Sequence, residues 1–192
     1  MNQLLEDREE RKKLNEIFKF IVVFIPSIIL FSLILPSLPP SSFWFLILVP
    51  AVVWFVAELK INREDKRRII KAITIGMLLV IFNLIINYTG AIRGIYTISS
   101  QYSLFFILGN PVELLLISLF GGAAWFLHLP KKFDLFYSTA DIIMLSSFGT
   151  MTELFILIPN NLMTYISVIF PDPFFTYALV WSILHLIYYK VI

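Results

Sequence analysis

Apolar residues in this chain run in long blocks separated by short polar loops, and the blocks have the length of a membrane crossing. A helix needs about 20 residues to span a ~30 Å hydrocarbon core. Six blocks approach that length: residues 18–35, 43–58, 69–88, 104–129, 133–157 and 174–189. A shorter apolar stretch, Leu162 to Phe170, lies between Pro159 and Pro171 and predicts a short interfacial helix or re-entrant piece before the last span. At the N-terminus, Leu4, Leu5, Arg8, Arg11, Lys12, Leu14 and Phe18 suit an amphipathic helix lying on a membrane surface; a solvated extension of the first span fits them equally. No small-residue cleavage site follows the first block, so a removable signal peptide is not expected. The predicted fold is all-α: a polytopic six-transmembrane-helix bundle with an N-terminal amphipathic segment, forming one integral membrane domain over residues 1–192.

Basic residues in the short loops set the expected orientation. Arg8, Arg11, Lys12, Lys13 and Lys19 precede the first span. Lys60, Arg63, Lys66, Arg67, Arg68 and Lys71 lie between the second and third, Lys131 and Lys132 between the fourth and fifth, and Lys190 after the last. The alternate loops hold Arg93 alone. Losing one span would scramble this alternation, so it supports the helix number and the topology together. It predicts a multi-pass cell-membrane protein with both termini cytoplasmic, its basic clusters facing anionic headgroups.

Composition agrees. Of 192 residues, 59% are apolar and 15% charged, with a mean hydropathy of +0.86. A soluble domain of this size could not bury so much apolar surface. The net charge of +2 gives no basis for a nucleic-acid partner. With no cysteine, disulfides and thiolate chemistry are excluded.

Candidate chemistry must come from polar groups that lipid penalises. An ionisable side chain at the bilayer centre costs about 2.5–3.5 kcal/mol on insertion scales, so such groups face a bundle interior or a cavity. Glu113, about ten residues into the fourth block, is expected roughly 15 Å deep. Asn110 shares its face, and Pro111 loosens the helix beside it. Glu113 reads either as a proton donor or as a neutral group hydrogen-bonded to a neighbouring helix. Thr139, Ser146, Thr150 and Glu153 form a polar stripe with Gly149 on the fifth block. Asn83 and Asn87 share a face of the third block; Trp181, His185 and Tyr188 share one of the sixth. His185 is either a proton carrier or a satisfied interhelical partner. Asp141 and His128 are expected at the membrane interface. Gly121 and Gly122 predict a close helix contact.

Several chemistries lack their motif. The chain has no P-loop, no dinucleotide-binding glycine pattern, no His-Glu-x-x-His helix and no Gly-x-Ser-x-Gly elbow. Two distant histidines make a poor transition-metal cluster, and no cofactor is called for. Nineteen Phe, eight Tyr and four Trp supply faces that attract cations, though most suit lipid-facing and belt positions. One short internal similarity links Gly109-Asn110-Pro111-Val112-Glu113-Leu114 with Gly149-Thr150-Met151-Thr152-Glu153-Leu154.

The stretch Asn87-Tyr88-Thr89-Gly90-Ala91-Ile92-Arg93-Gly94-Ile95-Tyr96, followed by Gly109-Asn110-Pro111-Val112-Glu113, resembles the membrane-integral lycopene cyclase domains of carotenoid synthesis over about residues 70–125. Those domains carry a loop acid and then a Pro-x-Glu-Glu motif opening the next helix, and they cyclise linear carotenes by protonation without redox chemistry. The resemblance puts Pro111 and Glu113 on the first and third motif positions and Asn87 on the loop acid. The second motif Glu is Leu114 here, Asn87 cannot give up a proton, and a second motif copy is absent.

Two functions are therefore expected. One is an intramembrane isoprenoid-modifying enzyme, cyclase-like and free of redox chemistry. Glu113, Glu153, Asn110 and Asn87 would then be its catalytic group, and Pro111, Asn83, Thr150, Trp181 and His185 its substrate-binding group. The other is a small proton-coupled transporter or a non-catalytic subunit of a membrane complex. Membrane lipid and an apolar isoprenoid-type substrate are the expected partners, and a homo- or hetero-oligomer is compatible with both.

Overall fold

The computed structural model describes Val22, residues 25–34, Ser37 and residues 43–99, 103–167 and 172–192. Its helices are α1 (Ile25–Ile34), α2 (Phe43–Ile61), α3 (Lys66–Ile92), α4 (Val112–His128), α5 (Leu135–Thr152) and α6 (Asp172–Leu186). The last two run on into π-helical turns, Glu153–Leu157 and Ile187–Val191. Four short strands join them: β1 (Tyr96–Ile98), β2 (Phe106–Ile107), β3 (Asn110–Pro111) and β4 (Met163–Tyr165). The amphipathic segment expected before residue 20 lies outside the described residues, as do the ends of the first expected span.

Among the described residues, four helical stretches are long and apolar enough to cross a membrane: Phe43–Ile61, Lys66–Ile92, Leu135–Leu157 and Asp172–Val191. Their outward faces are apolar. Val49, Val53 and Val56 of α2, Ile81 and Ile85 of α3, and Phe175 and Leu179 of α6 stay exposed. Water would penalise such continuous apolar faces, whereas lipid would not. The protein is thus a mostly helical, membrane-associated one.

Two sequence expectations need correction. The fourth block is not helical from residue 104: α4 begins only at Val112, and β2 and β3 form an antiparallel hairpin before it, Phe106 opposite Pro111 and Ile107 opposite Asn110. Pro111 forces Asn110 away from helical geometry. Leu108 and Gly109 between the strands have φ of +49° and +78°, as a two-residue hairpin turn requires. The expected interfacial helix over residues 162–170 is instead strand β4 across Met163–Tyr165; residues 168–170 lie outside the described residues. β4 pairs antiparallel with β1, Tyr96 opposite Tyr165 and Ile98 opposite Met163. Backbone groups in a stretch too short for a stable helix find partners across the gap instead.

α4 packs against both α2 and α3, and α5 packs against α6. Gly76 and Gly122 mark the α3–α4 crossing. A Cβ on Gly76 would collide with the carbonyl of Leu119, and one on Gly122 would meet Leu79 at 3.0 Å. Gly121 meets only Ala51, at 3.9 Å, so of the two expected contact glycines Gly122 makes the close approach. On α5, a Cβ at Gly149 would stand 2.9 Å from the ring of Tyr177.

The basic loops gather at one end. Asp65 caps α3 by accepting from the Arg68 N–H at 3.2 Å, and Lys131 Nζ stands 2.9 Å from its other oxygen. The Lys131 ammonium first, then the Arg68 N–H, hold this carboxyl below the usual carboxylate range. The Arg68 guanidinium donates to Leu127 O at 2.5 Å and to Leu129 O, closing the C-terminus of α4. His128 Nδ1 lies 3.0 Å from Glu58 Oε1, and Tyr189 OH donates to Pro130 O at 2.9 Å. The loops bearing Lys60–Lys71, Lys131–Lys132 and Lys190 therefore share one face, and the β1–β4 pair lies at the other.

Candidate functional site

At the end opposite the basic loops, polar side chains converge from α3, the hairpin before α4, β1, β4, the turn after α5, and α6. The last turns of α3 present Asn83 and Asn87 four residues apart, on one face. Asn83 Nδ2 donates to Ser118 Oγ on α4. Asn87 Nδ2 donates to Asn110 Oδ1 at the hairpin turn, and Asn110 Nδ2 returns to Leu108 O at 3.1 Å. Asn110 is fully buried, so its amide both closes the turn and locks it to α3.

Tyr96 OH donates to Asn87 Oδ1 at 2.6 Å. Its ring lies on Gly90, where a Cβ would come within 2.6 Å of it. Across the β1–β4 pair the rings of Tyr96 and Tyr165 stand 5.5 Å apart. Tyr165 OH then reaches Glu153 Oε2, and Tyr177 OH of α6 reaches Oε1 at 2.6 Å. A file thus runs Asn110, Asn87, Tyr96, Tyr165, Glu153, Tyr177, buried except at the half-buried Tyr165 and Tyr177, with one ring contact and otherwise hydrogen bonds. Glu153 opens the π-helical turn after α5, and among the described residues no cation pairs with it. Burial, and secondarily the Glu153 charge, push the Tyr96 and Tyr165 phenols above the ordinary tyrosine range.

Glu113 is 2% exposed, but it is not ten residues into a span: it stands in the first turn of α4. Its carboxylate accepts from the Leu104 N–H at 2.9 Å and from Ser103 Oγ, holding the chain that enters the hairpin. Among the described residues no hydrogen bond joins Glu113 to Glu153. Pro111 is buried at the end of β3, directly before α4. Thr150 is buried and returns its hydroxyl to Ser146 O at 2.8 Å. The expected stripe on α5 holds for Ser146, Thr150 and Glu153, whereas Thr139 is exposed and bonds back to Leu135 O.

Trp181 and His185 belong elsewhere. Trp181 stacks on Phe126, centroids 6.1 Å apart, and His185 lies 2.9 Å from Asp141. His185 follows Tyr177 by eight residues, roughly 12 Å along α6. Asp141 lies in the protein interior: it is 1% exposed and accepts from Trp125 Nε1 at 3.0 Å, because α4 and α6 cover that face of α5. His128 is half-exposed at the C-terminal end of α4. Among the described residues no three His, Asp or Glu side chains gather to hold a metal ion.

The file's three tyrosines escaped the sequence reading. Tyr177 was within reach, since the face carrying Trp181, His185 and Tyr188 extends back to it by one turn. Tyr165 was hidden by the expectation of a helix there. No family model matches this chain, and no curated protein or solved structure resembles it significantly.

Proposed function

We propose that this chain is a six-span membrane enzyme, both termini cytoplasmic, that protonates and cyclises an apolar isoprenoid-type substrate without redox chemistry. The gathering of the described basic loops at one end supports the topology. The observation that carries the chemistry is Glu153, a buried carboxyl flanked by the hydroxyls of Tyr165 and Tyr177 and paired with no cation among the described residues.

The reaction needs an acid, a shielded cation and a base. In the proposed sequence the Glu153 carboxyl gives its proton to a terminal alkene, leaving a carbocation. An internal double bond attacks that cation and closes a ring. Loss of a neighbouring proton to the carboxylate restores the acid, so the product is an isomer of the substrate. Phenol faces at Tyr96, Tyr165 and Tyr177 stabilise the cation, and Asn87 and Asn110 position Tyr96. Glu113 is the weaker donor candidate because one of its oxygens accepts from the Leu104 backbone N–H, which can only donate, whereas both partners of Glu153 are hydroxyls that can also accept.

The test is reconstitution in lipid with a linear carotene, followed by mass and ring analysis of the products. A ring-bearing isomer formed by the wild type and abolished by Glu153→Gln supports the reading. No such product, or an unchanged yield from Glu153→Gln, ends it.

Another buried acid, Asp141 against His185, favours one other reading, a small proton-coupled transporter. Voltage-driven proton entry into proteoliposomes, above that of empty vesicles, would support it.

A further inference from the structure

Asp141 and His185 lie on the basic half of the α5–α6 seam, outside the file that ends at Glu153. Both are nearly inaccessible, at 1% and 3% exposure. Trp125 Nε1 donates to Asp141 Oδ2 at 3.0 Å, and His185 Nε2 stands 2.9 Å from the same oxygen, close but off-axis as a hydrogen bond. The other ring nitrogen is committed. Nδ1 lies 2.9 Å from the carbonyl of Trp181, and a carbonyl only accepts, so Nδ1 carries a hydrogen.

Nε2 then faces Asp141 in one of two ways. It is either a bare acceptor for a protonated carboxyl or a second N–H donor to a carboxylate. Either way the pair is neutral overall, the condition under which a buried acid and base are tolerated. One atom stays unsatisfied: Asp141 Oδ1 is buried and has no hydrogen-bond partner among the described residues. An acceptor of that kind asks for an explanation.

The surroundings are specific. Phe126 of α4 covers the His185 ring at 5.3 Å, and Tyr189 touches it from the basic end at 6.3 Å. Tyr137 lies one turn before Asp141 on α5, and both Tyr137 and Asp141 are near enough to act electrostatically on Tyr189. Tyr188, in the π-helical turn after α6, lies beside the Arg68 guanidinium of α3, and Arg68 is itself held by the carbonyls of Leu127 and Leu129. Tyr189 OH is bonded to Pro130 O in the loop beyond α4. The phenol thus stands between the basic loop and the dyad.

We propose that Asp141 and His185 form a proton-exchange site, entered from the basic end past Tyr189, with Asp141 Oδ1 as the atom that accepts the incoming proton. The neutral pair takes a proton from hydronium, leaving water, and becomes a protonated carboxyl beside an imidazolium; release reverses the step. Nothing is oxidised or reduced. The site depends neither on the isoprenoid reading nor on Glu153.

The chain has two histidines, so selective ¹⁵N-histidine labelling gives two imidazole ring systems, with half-exposed His128 as the internal reference. The full-length protein in lipid nanodiscs is titrated between about pH 5 and pH 9, where imidazole ordinarily changes charge. His185 Nδ1 stays protonated throughout, and proton uptake is read either at Nε2, where the neutral pair leaves that nitrogen bare, or at the ¹³C-labelled Asp141 carboxyl, where Nε2 already carries a hydrogen. Asp141→Asn displaces the His185 Nε2 response from its wild-type position and leaves that of His128 in place. Trp125→Phe, which deletes only the donor to Oδ2, moves the His185 response as well and serves as the second variant should Asp141→Asn fail to fold. Wild-type Nε2 and Asp141 carboxyl responses that both stay flat, a bare Nδ1, or a His185 response equal to wild type in the folded variants overturns the proposal.

Discussion

Asn87 and Asn110 stand 23 positions apart and share a buried hydrogen bond, Nδ2 of the first to Oδ1 of the second. That bond joins the last turns of α3 to the hairpin that opens α4, and Tyr96 closes on it through Asn87 Oδ1. Truncating Asn87 therefore strands two buried polar partners at once.

Asn87→Ala should destabilise the protein by about 1–3 kcal/mol, the cost of leaving buried polar groups unpaired. Thermal unfolding in nanodiscs checks this. Because Asn110 loses the same partner, the Asn87→Ala/Asn110→Ala double variant should cost clearly less than the two single losses added. Strict additivity would mean that the pair does not act as a unit.

Glu113 separates structural from chemical roles. Its oxygens hold Ser103 and the Leu104 N–H, so Glu113→Ala should free the entry to the hairpin at a cost of about 1–3 kcal/mol, and Glu113→Gln, which keeps one acceptor, should cost less. Hydrogen exchange over residues 103–108 reads the effect directly. Unchanged protection in Glu113→Ala would remove the loop-holding role.

How far the sequence discloses this molecule depends on the kind of signal. Helices α2, α3, α5 and α6 stand out because a hydrocarbon solvent imposes one long apolar run per crossing, and no other element supplies one. The inward burial of Glu153 and the shared face of Asn83 and Asn87 follow from helical spacing alone. The hairpin before α4 and the β1–β4 pair do not, because an apolar stretch reads as helix whether its backbone bonds locally or across a gap. That single ambiguity displaced Glu113 from mid-span to a helix start and concealed Tyr165. The partners of Asp141 are hidden for a different reason: Trp125 and His185 come from other helices, and spacing within α5 cannot disclose them.

Two adjacent-looking glycine substitutions should part sharply. Gly76→Ala drives a methyl into the carbonyl of Leu119 at the α3–α4 crossing, where backbone cannot yield cheaply, whereas Gly121→Ala meets only Ala51 at 3.9 Å. Overpacking costs typically about 1–3 kcal/mol, so Gly76→Ala should lower the unfolding temperature and Gly121→Ala leave it nearly unchanged. Equal behaviour of the two would show that α3 and α4 do not cross at Gly76.

Alkaline pH should weaken the β1–β4 end selectively. Burial, then the Glu153 charge, raise the Tyr96 and Tyr165 phenols in the folded protein, while in the unfolded chain they titrate near the ordinary value of about 10. A group whose folded value is raised contributes stability that is complete below its unfolded value. As pH climbs past about 10, the unfolded chain releases these protons and the folded one retains them, so unfolding becomes easier until the folded phenols ionise too. Stability should therefore fall with rising pH above about 10, and Tyr96→Phe and Tyr165→Phe should each flatten part of that fall even though each loses a hydrogen bond at neutral pH. Unfolding midpoints measured across the alkaline range, alongside ultraviolet titration of the phenolates, check both halves. Should the wild type and the two variants lose stability in parallel above pH 10, these phenols would have to be as freely ionised in the folded protein as in the unfolded chain.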